Sequence, residues 1–441
     1  MKKFGLGILG IILVALIYYF TLGADQVREK LQQELSAQLT ELETKGFTIS
    51  EREIKKREEH FVISLDDPKK ASAFLTQQGL EFSVQDAEEL KGIKMGVDVE
   101  YLSHAVALEL YPVALPTKLS MTVTNENDKK ILAQIEKMLE KKTFLLHIEA
   151  DYATTTFKGY VKDINETLQG EEEVKLRMQG LHFSGKIKGD RVSQIDQTLN
   201  VMRLYVSDEI NMYLSGLQSN YTLTGDSVYD YTTEYAIEKM RMDSNAEFEL
   251  TADEIMAHST STVKDGLVSE TLKSKMKAME ILLEGERLAL ENSLLDLKVD
   301  NLDLSAFEKL QNVDPENTEA FDAALQKLIS NNVHLEITTL SADKVTLQGK
   351  KVDGFTLHST LDIDKSLNIS RLEANPMYAL DKIDAQLKVS LSKELLDLIS
   401  RDPKAMIALM IFTPKDVNGK KVYSVELKDG ALKVNGKSVL K

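Results

Sequence analysis

Beyond residue 46, apolar and polar positions along this chain alternate with a period of two. "FLLHIEADY" puts Phe144, Leu146 and Ile148 on one side, and "VKLRMQGLHFSGKI" does the same with Val174, Leu176 and Met178. "VHLEITTL" aligns Val333, Leu335 and Ile337, and "GFTLHSTLDI" aligns Phe355, Leu357, Leu361 and Ile363 around Ser359. A side chain on every second residue of a strand points to the same face, so this pattern predicts strands with one buried and one wet face, the antiparallel habit. Asp265-Gly266, Asp429-Gly430 and Asn435-Gly436 are dipeptides suited to tight hairpins, because both residues tolerate positive φ.

A helical period interrupts the strands. "DPKKASAFLTQQG" has Asp67 as cap, Pro68 at the first helical position and Gly79 at the exit. "NDKKILAQIEKMLEKK" lines up Ile131, Ile135, Met138 and Leu139, and "PENTEAFDAALQKLISNN" lines up Phe321, Leu325, Leu328 and Ile329. "SKELLDLIS" and "KAMIALMIF" form a last pair broken at Pro403. A loose repeat joins the two periods, since "LLDLKVDNLDLSAFEKLQ" and "IDAQLKVSLSKELLDLIS" both read as strand then short helix.

The start of the chain has neither period. After Lys2 and Lys3 comes a nearly continuous apolar run: Phe4, Leu6, Ile8, Leu9, Ile11, Ile12, Leu13, Val14, Leu16, Ile17, Tyr18, Tyr19 and Phe20, with Asp25 the next charge. As a helix at about 1.5 Å per residue it comes close to crossing a hydrocarbon core of about 30 Å. The aromatic pair at its far end suits the headgroup layer, and the lysines favour a cytoplasmic N-terminus. Cleavage sites of the small-x-small kind are poor here, Thr21-x-Gly23 and Leu22-x-Ala24, so the expectation is an uncleaved signal-anchor, with a cleaved signal as the alternative. A buried core helix fits badly with a terminal run that no polar residue punctuates. In "ADQVREKLQQELSAQLTELETKG", Val27, Leu31, Leu35, Leu39 and Leu42 recur every three or four residues and Gly46 stands at the exit, predicting a juxtamembrane helix. Its apolar stripe either docks on its own domain or pairs with a second copy.

The expected fold class is therefore α+β: a transmembrane helix and stalk, then a long, mainly antiparallel, curved sheet with amphipathic helices on one face. The divisions expected are 1–23 for cytoplasmic start and anchor, 24–46 for the juxtamembrane helix, 47–165 for a first α+β part and 166–441 for a second β-rich part. The boundary is soft, with "GYVKDINETLQGEEE" the most linker-like stretch.

Composition then narrows the function classes. A net charge of −16 and a lack of any basic cluster free of glutamate argue against nucleic acid and against a polybasic grip on anionic lipid. Cysteine is absent, which removes disulfides, thiolate metal sites and cysteine nucleophiles. Tryptophan is absent too, and with it the best face for quaternary amines.

Four phrases together, the N-terminal span, "GFTIS" after the stalk, "LDLSAFEKLQ" and the closing "VELKDGALKVNGKSVL", make the chain resemble the YdgA-like family of single-span bacterial envelope proteins of undefined biochemical role. The resemblance implies a periplasmic body on an inner-membrane anchor with its N-terminus in the cytoplasm. It lends no catalytic residues.

Candidate chemistry is sparse. "NGKSVL" imitates the end of a phosphate loop, but five residues separate Gly430 from Gly436 and no helix follows, so a hairpin turn is expected. In "DIDKSLNISRLE", Asp362, Asp364, Ser366, Asn368, Ser370 and Glu373 fall at calcium-loop spacing, yet Leu367 stands where the sharp turn wants glycine. A polar turn is expected there, with a weak calcium site the alternative. The seven histidines, His60, His104, His147, His182, His258, His334 and His358, are never within four residues of one another, so each is expected as an ordinary sheet residue. No nucleophile elbow is present and carboxylates are too many for a pair to stand out. The methionines of "KMKAMEILL" and "MIALMIF" fill core or line an adaptable groove. The resulting expectation is a protein that is not an enzyme and needs no cofactor, holding a lipid-like or other apolar ligand on a half-apolar sheet. The alternative is an envelope scaffold that engages other proteins or itself, through the stalk or a sheet edge.

Overall fold

Strand follows strand wherever the alternation is found, and in the computed structural model every described pairing is antiparallel. The structure describes residues 28–77, 82–121, 125–153, 155–189, 191–207, 209–244, 248–283, 285–312, 318–401 and 413–440. The chain divides into two units, Met1–Gln218 and Ser219–Lys441. None of the described helices is long and apolar enough to cross a membrane, and the apolar run 4–20 lies outside the described residues, as do Gly79 and the stretch 402–412.

In the first unit, α1 (Arg28–Thr44) leads into β1 (Phe47–Ile54) and β2 (Glu58–Leu65); α2 (Pro68–Gln77) and α3 (Val84–Glu89) precede β3 (Lys94–Tyr101) and β4 (Ala105–Ala114). Then come α4 (Thr117–Met121), α5 (Glu126–Glu140), β5 (Leu146–Asp151), β6 (Thr156–Val161), β7 (Ile164–Leu168), β8 (Val174–Gln179), β9 (His182–Lys188) and β10 (Arg191–Val206). Strands β1 to β6 pair in chain order, β6 pairs with β9, and β10 pairs with β9 through its first half and with β8 through its second. Asp67 caps α2, accepting from the Lys70 N–H at 3.2 Å, and Asn125 caps α5 by accepting from Asp128 at 2.7 Å.

The stalk stripe docks on its own unit. Leu35, Leu39 and Leu42 are buried in one cluster with Phe61, Ile63, Phe74, Val97, Leu110 and Ile148, so from Leu35 onward the stripe is occupied. On the other face Lys142, just past α5, touches Asp98 and Tyr111, which alternate with the core-facing Val97, Val99 and Leu110. The linker-like stretch is ordered structure, with Ile164–Leu168 paired along its length to β8 and Ile164 fully buried. Asn165 and Thr167 occupy its wet face, while Glu166 shares the face of Ile164 and Leu168.

Strand β11 (Ile210–Leu223) carries the chain across the division. The second unit runs β12 (Tyr231–Ser244), β13 (Phe248–Lys264), β14 (Leu267–Leu283), β15 (Glu286–Asp303), α6 (Leu304–Asn312), α7 (Thr318–Leu328), β16 (Val333–Leu347), β17 (Lys350–Ile363) and α8 (Ile369–Ala374). It closes with β18 (Ile383–Ser392), α9 (Lys393–Ile399), β19 (Lys415–Val417), β20 (Lys420–Lys428), β21 (Ala431–Val434) and β22 (Lys437–Leu440). Strands β12 to β18 pair in chain order, β18 pairs with β20, and β20, β21 and β22 form a meander. All three expected hairpins form with positive φ at both turn residues: 53° and 75° at Asp265-Gly266, 49° and 75° at Asp429-Gly430, 49° and 81° at Asn435-Gly436. Both strand–helix units are present, capped by Asp303 (accepting from Ala306 at 3.0 Å) and Ser392 (accepting from Leu395 at 3.1 Å). One helix face is corrected: Phe321 is exposed, and Ala324 is the residue of α7 that is buried.

Candidate functional site

Registers in the second unit stack apolar side chains into rows that cross the strands. Directly opposite residues of an antiparallel pair share a face. Leu297 faces Ile337, Ile337 faces Ser359, Ser359 faces Leu387, Leu387 faces Val425 and Val425 faces Val434. Parallel rows two residues to either side run from Leu295 through Leu340, Leu357 and Val389 to Tyr423, and from Val299 through Leu335, Leu361, Ala385 and Leu427 to Leu432. A bulge at Thr338-Thr339 rephases β16, so that Leu340 joins the same face as Ile337. Tyr423 and Val434 are buried, while the others are only half-buried.

Helices bound this face along the strand direction. Beyond the Leu357–Val389 row, Phe355 and Leu391 pack with Leu395 and Ile399 of α9. Beyond the Leu361–Ala385 row, Val333 is buried and the strands give way to α6 and α7, which pack on each other and on β15 with Ala306 and Ala324 fully enclosed. The result is a strip of half-buried hydrocarbon between helical margins, a surface water leaves at a gain of about 25 cal/mol per Å².

The same rows change character toward β12. Leu297 faces Leu272, then Ser259, then Thr233; Val299 faces Glu270, then Ser261, then Tyr231. Ser259 donates to Glu270 Oε1 at 2.9 Å, and Thr233, Ser259 and Ser261 are all buried. Tyr231 lies 5.8 Å from the Tyr221 ring, and burial together with the charge of Glu270 pushes its phenol above the usual range. Among the described residues no Lys, Arg or His pairs with Glu270.

A second polar arrangement lies in the first unit. Glu53 faces His60, His60 faces Asp98, and the row continues through Glu109, His147 and Tyr160 to His182. His60 and Asp98 share a 2.6 Å hydrogen bond, Lys142 donates to Asp98 at 2.6 Å and sits 3.7 Å from the centre of the Tyr111 ring, and His147 stacks on Tyr160 at 4.9 Å. Burial pushes Asp98 up, but the hydrogen bonds from Lys142 and His60 outweigh it and hold its carboxyl below the ordinary range. Glu53, His60, Asp98, Glu109 and His147 help to line a cleft of about 340 Å³. Deeper in, Glu59 is enclosed and paired with Arg52 at 2.7 Å. The chain shows this row only through strand register: His60 and Asp98 are 38 residues apart, and no local spacing announces them.

The residues at calcium-loop spacing are engaged separately. Asp362 bonds His334 at 2.6 Å, Asp364 accepts from the Ser366 N–H at 2.7 Å, Asn368 caps α8 through Arg371 at 2.9 Å, and Leu367 is buried. Ser370 is exposed on α8, and the Glu373 side chain lies outside the described residues. Among the described residues no group of three His, Asp or Glu side chains could hold a metal ion.

A large antiparallel sheet with helices, and no catalytic motif in its sequence, defines the class. Residues 112–408 match a family described as "Bacterial protein of unknown function (DUF945)", and since this is well over half of the 441 residues, the chain belongs to that family. Comparison with curated proteins and with solved structures returned no match.

Proposed function

We propose that this chain is a non-enzymatic protein of the bacterial envelope that binds a lipid-like ligand on the half-buried strip of its second unit. In this reading residues 4–20 anchor it in the inner membrane, the N-terminus is cytoplasmic and the body periplasmic, in line with the YdgA-like resemblance. The observation that carries the reading is the three parallel rows from β15 to β21, a continuous hydrocarbon surface between α9 and the α6–α7 pair. Five strand spacings of about 4.8 Å give it a breadth of about 24 Å, enough for one hydrocarbon chain, since half a bilayer core is about 15 Å thick. A scaffold role through the stalk has less support, because Leu35, Leu39 and Leu42 are already buried within their own unit.

The test is extraction of the full-length chain into lipid nanodiscs of defined composition, followed by native mass spectrometry of what was carried along. The reading expects a lipid-like adduct that Leu297→Asp with Leu387→Asp reduces at least fivefold. Wild-type chain with no adduct, or an adduct indifferent to the double variant, would refute it.

A further inference from the structure

Resting on that reading, we propose that the strip takes a single-chain amphiphile in one orientation, a hydrogen-bond-donating head at Glu270, Ser259 and Tyr231 and its hydrocarbon chain running from β15 toward β21. Each row grades from polar to apolar across the strands. Going from β12 to β21, one row reads Thr233, Ser259, Leu272, Leu297, Ile337, Ser359, Leu387. Its neighbour reads Tyr231, Ser261, Glu270, Val299, Leu335, Leu361. Polar groups thus gather at one end of a surface that, Ser359 apart, is hydrocarbon for the rest of its breadth.

Two details say what kind of head fits. Glu270 accepts from Ser259 at 2.9 Å and has no cationic partner among the described residues, so the head zone holds a half-buried carboxylate whose charge is not balanced. An ammonium or hydroxyl head completes that carboxylate, whereas a carboxylate or phosphate head would be repelled by it. Around it Thr233, Ser259 and Ser261 are buried.

The test uses photoreactive sixteen-carbon probes bearing an amine, an alcohol or a carboxylate, each with a diazirine at the chain terminus, on the full-length protein in neutral-lipid nanodiscs. Labelled peptides are expected on Ile383–Ser392, four strand spacings of about 4.8 Å from Glu270 and within reach of the chain, with the amine labelling at least fivefold more than the carboxylate and the alcohol between them. Glu270→Gln is expected to bring amine and carboxylate within twofold, by lowering the amine and raising the carboxylate, at unchanged thermal stability. Labelling of all three at equal strength, labelling on β12–β14 instead, or a carboxylate preference would overturn the orientation while leaving the apolar ligand reading intact. No labelling by any probe, or a dimer that shields the strip from them, would overturn both.

Discussion

Three glycines sit beneath aromatic rings on neighbouring strands. Gly159 faces Phe183, Gly185 faces Phe157 and Gly96 faces Tyr111, and a methyl group at each would come within 2.4, 2.4 and 2.6 Å of the ring opposite. An aromatic ring covering a strand glycine pins register, because moving one strand by a residue lifts the ring off its seat. Gly96→Ala is expected to displace Tyr111 and with it Lys142, costing about 1–3 kcal/mol in urea unfolding. Gly266→Ala meets nothing within 4 Å, so its cost is the positive φ alone, about 1–2 kcal/mol. Equal and negligible costs at both sites would contradict this reading. Asp98 supplies a pH signature. Its folded pKa is depressed, so its contribution is present above the unfolded value of about 3.9 and is lost as pH falls through the lower folded value. Discounted for its partial exposure, the stability gap between wild type and Asp98→Asn should be about 0.5–1 kcal/mol at pH 7 and close in acid below about pH 4. A gap that widens on acidification would contradict the assignment. None of these pairings was visible along the chain, since a glycine and its ring lie on different strands and only register joins them.

Elements with a strong local signal were legible. Asp67-Pro68 starts its helix as its side chains require, and Asp265-Gly266, Asp429-Gly430 and Asn435-Gly436 each turn a hairpin, whereas Asp353-Gly354 lies within β17 and the Asn125 cap precedes the stretch whose period marked the helix. Strands β12 to β14 were not, because a sheet half-exposed on both faces gives segments such as "YTTEYAIEKMRMDS", in which neither face is consistently apolar. Bulges hide more: past Thr338-Thr339 the apolar phase of β16 shifts from odd to even positions. Phe321 follows the helical stripe yet stays exposed, since its neighbour Ala324 makes the close contact instead. The fate of the stalk can be measured. Leu39 is 2% exposed, so Leu39→Ala should lower stability of the full-length chain by about 2–5 kcal/mol without altering its oligomeric state. A change of assembly with stability untouched would mean that the stripe serves a partner.

At the scale of the molecule, one sheet face in the second unit carries a polar-to-apolar gradient that no segment shows on its own. Two of the strands whose alternation is plain along the chain, β16 and β17, lie side by side, and the registers join them to β15, β18, β20 and β21, so that their hydrocarbon merges into one strip. Family membership places the chain among bacterial proteins without assigning it a reaction, so the strip is where function is to be sought. Titration of a fluorescent long-chain alcohol against the full-length protein in nanodiscs, beside the Leu297→Asp, Leu387→Asp double variant, tests this most directly. Saturable uptake by the wild type, weakened at least tenfold in the variant at equal thermal stability, is the result expected. Uptake no greater than that of empty nanodiscs, or identical in both proteins, would contradict it.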